Sequence, residues 1–339
     1  MPGLVQESAL SQWLARELGW TAPVQFERIA GGRSNLTYFV TDAAGRRGVL
    51  RRPPLDGVLA TAHDVVRESR IIAALAGTAV PVPGVLGICD DPAAGGPFFV
   101  MERVDGLVLR TMDDARDAPA AARRGAGPAL VDALAALHAC DVGEIGLGDL
   151  VRRSGYLERQ LRRWRAQLDH AVDPPALLFE VHDALALALP PAGPRVLTHG
   201  DFRIDNCILG PDGSVRAVLD WELASVGDPL ADLALLLVYW REPDDAPFDE
   251  SFVGAPTAAP GFATRQQLID RYVARTGASV EHLSVYLAFA SWRLACILQG
   301  VVDRHASGAM GDVDGGWVGM PRSLVESHAV AAAAYLTGG

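Results

Sequence analysis

Apolar positions at Leu10, Trp13, Leu14 and Leu18 recur at helical spacing through residues 6–19 and stop at Gly19, so the chain opens on a predicted amphipathic helix. The period then shortens. Val24 to Ile29, Leu36 to Thr41 and Arg47 to Arg52 are β-rich runs, separated by Gly31-Gly32 and by the hairpin signal Asp42-Ala-Ala-Gly45, which predicts three antiparallel strands. Pro53-Pro54 ends the third, and helical spacing returns over 61–76 with Val65, Ile72 and Leu75 facing inward. Gly84 to Cys89 and Pro97 to Val104, flanking a turn at 90–96, complete a predicted five-stranded sheet with one inserted helix.

After Gly106 the chain turns to Ala, Leu and Arg, and helices are predicted over 128–140, 154–170, 176–189, 229–240, 264–276, 281–305 and 321–337. The block 195–221 breaks this pattern. Arg195 to Thr198, Asn206 to Leu209 and Val215 to Leu219 read as short strands around a Gly210-Pro-Asp-Gly213 turn. The segments 243–262 and 307–319, rich in Pro, Gly and Asp, are predicted to be exposed loops. The expected architecture is α+β in two lobes: an antiparallel five-stranded sheet with a helix over 1–104, then a mostly helical lobe over 105–339.

Composition narrows the function. Half of the 339 residues are hydrophobic and 21% are charged, which is enough apolar material for a packed core. A net charge of −11 with dispersed arginines argues against a nucleic-acid partner. The first twenty residues lack the basic start, apolar centre and small-residue cleavage site of a secretion signal, so a cytoplasmic location is expected. No membrane partner is expected either, because Leu230 to Trp240 is short and carries Asp232. Cys89, Cys140, Cys207 and Cys296 lie far apart and read as reduced thiols. Oligomeric state leaves no mark on the sequence.

The chemistry lies in Leu197-Thr-His199-Gly200-Asp201-Phe-Arg-Ile-Asp205-Asn206 and in Val218-Leu-Asp220-Trp-Glu222. A tight turn at 210–213 returns Asn206 and Asp220 to the same end of a hairpin, on strands about 4.8 Å apart. An amide oxygen and a carboxylate at that separation, with phosphate oxygens, can complete the shell of Mg²⁺. Asp201 precedes the hairpin and can accept a proton from an attacking hydroxyl. Phosphoryl transfer asks the protein chiefly for positioning and charge neutralisation, and these three residues supply a base and two metal ligands.

The block resembles the catalytic loop and metal hairpin of the aminoglycoside phosphotransferase and choline kinase group, relatives of protein kinases; Asp201-x₄-Asn206 and Asp220-Trp221 carry the resemblance. The resemblance implies a kinase-like fold, ATP and Mg²⁺ as cofactors, and a small molecule bearing a hydroxyl as acceptor. It extends to further positions. Phe98 to Val104 followed by Gly106 is similar to the inter-lobe hinge, with backbone groups of Glu102 and Val104 against adenine and Met101 lining its pocket; taken alone, any edge strand before a glycine reads the same way. Gly31-Gly32-Arg33-Ser34-Asn35 stands where kinases carry a phosphate loop, with Gly32, Ser34 and Asn35 toward the phosphates, although a plain hairpin turn also fits. Arg51 takes the place of the kinase lysine and Glu68 orients it, the alternative being two ordinary surface charges.

The arginine at this place and the following Pro-Pro are most similar to kinase-like domains fused to some acyl-CoA dehydrogenases, which implies hydroxyacyl groups beside aminoglycosides and choline as acceptors. Around the loop, His199 is expected to hold backbone, Asp232 to accept its N–H groups, and Asp228 to cap the helix at Pro229. Asp205 stands open between a supporting role at the metal and a solvated charge. Two further readings survive: a nucleotide-binding pseudokinase without turnover, and a transferase using GTP.

Overall fold

The computed structural model describes residues 7–29, 35–54, 64–151, 155–191, 193–245, 254–306 and 322–338. Helix α1 (Glu7–Leu18) is followed by β1 (Gln25–Arg28), β2 (Leu36–Thr41), β3 (Arg47–Arg52), α2 (Val65–Leu75), β4 (Val85–Cys89) and β5 (Phe98–Glu102). The strands form one antiparallel sheet in the order β1-β2-β3-β5-β4. Period-two alternation sorts its side chains onto two faces. Val40, Leu50, Phe98 and Val100 pack against Leu10, Trp13 and Leu14 of α1, whereas Val49, Phe99 and Met101 pack with Ile71, Ile72 and Leu75 of α2. The same alternation puts Arg51 on the α2 side.

The second part comprises α3 (Met112–Asp117), α4 (Ala120–His138), α5 (Tyr156–Leu168), α6 (Leu177–Leu187), β6 (Val196–Thr198), β7 (Cys207–Leu209), β8 (Val215–Val218), β9 (Ser225–Gly227), α7 (Pro229–Tyr239), α8 (Arg265–Thr276), α9 (Leu283–Ala306) and α10 (Arg322–Thr337). The fold is thus the α+β arrangement that the sequence predicts, a five-stranded antiparallel sheet with a helix and then a mostly helical part. Helix α9 is long and apolar enough to cross a membrane by length and composition, yet 67% of its apolar window is buried inside the protein, which makes it a core helix.

Several boundaries differ from expectation. Helix α4 begins at Ala120 rather than 128, because Pro128 sits inside it and reads in sequence as a start. The short α3 is added, closed by a capping box between Thr111 and Asp114. Within the segment read as exposed loop at 243–262, Ala255, Thr257 and Ala259 are buried, and Thr257 Oγ1 accepts the Arg241 N–H at 2.8 Å. The loop expected at 307–319 lies outside the described residues.

Candidate active site

The hairpin β7–β8 is built as the spacing requires. Cys207 pairs with Val218, and the Leu219 N–H donates to Asn206 O at 2.8 Å, so Asn206 and Asp220 leave the two strands at one end. The turn closes through Gly210 N–H to Ser214 O at 2.8 Å, with Leu209 paired to Val215 across a bulge. Reciprocal bonds of 2.8 Å between Leu107 and Leu209 stitch β7 to the chain just past Glu102. A Cβ at Gly106 would meet Ile208 and Leu209 O at 2.5 Å, and this close approach is why that position is glycine.

The loop that carries Asp201 hangs between β6 and β7 and is fixed from several sides. Asp232, on α7 and 1% exposed, accepts the His199 N–H at 2.6 Å and the Gly200 N–H at 2.8 Å. Burial works to raise the Asp232 pKa, but His138, His199 and the Gly200 N–H outweigh it and hold it below the ordinary carboxylate value. His199 Nε2 donates to Leu219 O at 2.9 Å, its Nδ1 accepts the Asp201 N–H at 3.2 Å, and its ring packs on Trp221. Arg293 of α9 donates to Gly200 O at 3.0 Å. Pairing of β6 with β9 brings the far end of the Asp220 segment alongside this loop.

Asn206 donates both to Asp201 O at 2.9 Å and to Asp201 Oδ2 at 3.0 Å, which leaves its amide oxygen without a donor among the described residues. Asp220 adopts φ 68 and ψ 59, a left-handed conformation that Asp tolerates better than most residues. Arg51 joins the two parts of the molecule. It lies 2.9 Å from Glu68 Oε2, 2.5 Å from Asp220 Oδ1 and 3.3 Å from Glu222 Oε2. Glu68 is only 1% exposed, and burial pushes its pKa up to about 8 although Arg51 pulls it down; these are not surface charges.

Among the described residues no group of three His, Cys, Asp or Glu side chains could hold a metal unaided. One amide oxygen at Asn206 and one carboxylate at Asp220 nevertheless suit Mg²⁺, which takes few protein ligands and fills its shell with phosphate and water.

Gly32 and Ser34 lie outside the described residues. Asn35 is buried and donates to Glu222 Oε2 at 3.2 Å. Met101 is buried in the core beside α2. Glu102 gives its N–H to Gly84 O at 2.8 Å, whereas the Val104 N–H donates to no described residue. Asp205 accepts Arg203 at 2.7 Å, and burial raises its pKa against that pull.

Sequence reasoning missed several members. Glu222 receives both Asn35 and Arg51, and its place two residues after Asp220 is the one signal it leaves. Arg67, next to Glu68, donates to Glu222 O at 3.2 Å and to Ala224 O. Arg203 lies 3.3 Å from Asp201 Oδ2 with its guanidinium over the Tyr239 ring, where burial pushes the phenol up to about 12.

Comparison with known proteins places this geometry in context. The sequence profile of the phosphotransferase enzyme family matches residues 25–268. Acyl-CoA dehydrogenase family member 10 of Mus musculus is 34% identical over 311 residues, covering 90% of this chain and 29% of that protein. Acyl-CoA dehydrogenase family member 11 of Gallus gallus is 36% identical over 294 residues, covering 82% and 36%. This chain therefore spans about a third of the length of these relatives.

Among solved structures, a candidate aminoglycoside phosphotransferase of Ralstonia eutropha superposes with a TM-score of 0.80 at 29% identity, covering 98% of each chain. A thermostable mutant of aminoglycoside phosphotransferase APH(4)-Ia, in complex with AMP-PNP and hygromycin B, gives 0.63 at 18% identity over 98% and 99%, a likeness of fold.

Proposed function

Because this chain belongs to the phosphotransferase enzyme family, we propose that it is a small-molecule kinase that moves the γ-phosphoryl group of ATP to a hydroxyl with Mg²⁺ present. Residues 1–104 serve as the nucleotide lobe, and 105–339 bring the catalytic loop and the acceptor site. The observation that carries this reading is the convergence of Asp201, Asn206, Asp220 and Arg51: Asn206 Nδ2 is 3.0 Å from Asp201 Oδ2, and Arg51 is 2.5 Å from Asp220 Oδ1. A module that only bound nucleotide would have no use for a carboxylate held in this way at the end of the loop.

In the proposed reaction Asp201 accepts the acceptor's hydroxyl proton while that oxygen forms a bond to the γ-phosphorus, and the bond from phosphorus to the ADP oxygen breaks. Asn206 keeps the carboxylate oriented through its amide N–H. Arg51, aligned by Glu68, turns from Asp220 to the α- and β-phosphates. When bound, Mg²⁺ neutralises phosphate charge, with the Asn206 amide oxygen and the Asp220 carboxylate as its protein ligands. By the family resemblance Gly32, Ser34 and Asn35 are assigned to the phosphates, and Met101, Glu102 and Val104 to the adenine.

Arg203 and Arg293 lie beside the loop at Asp201, but Arg203 is paired with Asp201 and Asp205 and Arg293 is bonded to Gly200 O, so charge alone does not select the acceptor. A hydroxy acid or its acyl thioester fits, in keeping with the acyl-CoA names of the relatives. The test is phosphorylation by ATP, followed by ³¹P NMR, of a panel of hydroxyacyl-CoA thioesters, free hydroxy acids, aminoglycosides and choline, with and without Mg²⁺ and with GTP as a second donor. Tight Mg²⁺-ATP binding with no transfer to any of them would leave a nucleotide-binding module instead.

A further inference from the structure

Behind the catalytic loop runs a buried line of polar groups. Tyr272 of α8 is 1% exposed, and its hydroxyl lies 2.8 Å from Nδ1 of His138, the last residue of α4, which is 9% exposed. His138 Nε2 lies 3.5 Å from Asp232 Oδ2 and has no closer partner among the described residues. Asp232 in turn holds the two backbone N–H groups that precede Asp201.

A neutral imidazole has one N–H and one lone pair, and the bond made at one nitrogen decides which nitrogen keeps the proton. The Tyr272 hydroxyl finds no other acceptor among the described residues, so it donates to His138 Nδ1. Burial raises its pKa, which keeps it protonated as a donor. With Nδ1 accepting, the proton resides on Nε2 and faces the Asp232 carboxylate. In the other tautomer a lone pair would face that carboxylate, and repulsion would push Asp232 away from the loop.

We propose that Tyr272 is a positioning residue for phosphoryl transfer: its hydroxyl fixes the Nε2–H tautomer of His138, which holds Asp232 and, through Asp232, the backbone carrying Asp201. The inference rests on the role proposed for Asp201, although its geometry does not depend on it. Helix α8 is suited to deliver the hydroxyl. It is closed by a capping box between Thr264 and Gln267 and by Gly277 in the left-handed region, and Arg271 joins it to Asp132 of α4 at 2.6 Å. The ring of Tyr272 stands edge-on to that of His138 at 5.8 Å between centroids.

The test compares the full-length wild type with Tyr272→Phe, His138→Gln and His138→Leu. Side-chain ¹H–¹⁵N spectra of the wild type should show His138 with its proton on Nε2, and Tyr272→Phe should shift the ring toward the Nδ1–H form. Amide exchange should accelerate by at least about 10-fold at His199 and Gly200 in Tyr272→Phe and His138→Leu, while the body of α8 stays protected. Turnover should fall by about 10- to 100-fold with KM for ATP held within about twofold, as expected for a displaced base. His138→Gln, which can still donate toward Asp232, should recover most of that loss.

A wild-type His138 protonated on Nδ1 overturns the proposal, as does Tyr272→Phe with wild-type exchange at His199 and Gly200. Exchange that rises evenly through α4 and α8 would mark Tyr272 as a packing residue only, which also overturns it. If instead Asp201→Asn retains full turnover, the assignment of the base fails, and the tautomer and exchange results still judge Tyr272.

Discussion

At the scale of single residues, the proposed site separates groups assigned to chemistry from groups that hold them. Asp201 is the proposed base, and Asp201→Asn should leave nucleotide affinity nearly unchanged while lowering turnover by roughly 10²–10⁴-fold, the usual worth of a positioned base. Parallel calorimetry and rate measurements check it, and wild-type turnover would remove Asp201 from that role. Arg51 acts differently because it touches Glu68, Asp220 and Glu222 at once. Arg51→Ala should raise KM for ATP by roughly 10- to 100-fold through loss of charge-assisted bonds. It should also lower Tm, since it leaves the buried Glu68 carboxyl without its bonding partner. An unchanged KM with a lowered Tm would confine Arg51 to the structure.

The residue scale also marks the limit of sequence reading. Asp201, Asn206 and Asp220 were legible because a short turn and a fixed spacing force strand ends together, so local rules suffice. Glu222, Arg67, Arg293, His138 and Tyr272 join the site through packing between elements distant in the chain. The bond from Tyr272 to His138 spans 134 positions, and no local period encodes it. Arg51 and Glu68 lay between: resemblance pairs them, but burial of Glu68 depends on how α2 seats against the sheet.

At the scale of elements, the hairpin β7–β8 is held by α4. Gly213 has φ +87, and a Cβ there would stand 2.6 Å from Ala122 O and Ala126 N. Gly213→Ala should therefore cost about 2–4 kcal/mol, from the left-handed backbone and the clash together, and should lower Tm by several degrees. Because Asn206 and Asp220 ride on that hairpin, Mg²⁺-ATP affinity should weaken with it; a Gly213→Ala protein of normal stability would contradict the packing. The same contact explains why the start of α4 escaped the sequence reading: Gly125 and Gly127 look like breakers but are small positions where α4 meets the hairpin and α8, and Pro128 is carried inside the helix.

Helix α10 carries a pH-dependent contribution of its own. Burial and the positive charge of Arg241 push His328 down to about 4. The unfolded chain binds a proton at His328 near pH 6.5, whereas the folded chain does so only near 4, so stability should be full above 6.5 and fall as pH drops through that window. The loss attributable to this residue is about 3 kcal/mol at most. His328→Gln should flatten denaturation midpoints between pH 6.5 and 4, and an equally steep loss in the variant would assign it to other groups.

At the scale of the whole molecule, the sheet part and the helical part are tied by contacts that the proposed nucleotide binding would have to rearrange. Arg51 to Asp220, Asn35 to Glu222 and Arg67 to the Glu222 and Ala224 carbonyls all cross between them, while Leu107 and Leu209 form a fixed seam. In the proposed reaction Arg51 would leave Asp220 for the phosphates, and Asp220 would become a ligand of the cation. ATP with Mg²⁺ at about 100 times Kd should therefore add about 2.7 kcal/mol to stability, read as a Tm increase of several degrees. ATP with a chelator should add far less, because the cluster of Asp220 and Glu222 carboxylates then faces unneutralised phosphate. In Asp220→Ala the Mg²⁺-dependent part of the increase should vanish while the chelated response remains. Equal increases with and without Mg²⁺ in the wild type would mean that nucleotide enters the cleft without a cation, and the assignment of Asn206 and Asp220 as its ligands would fail.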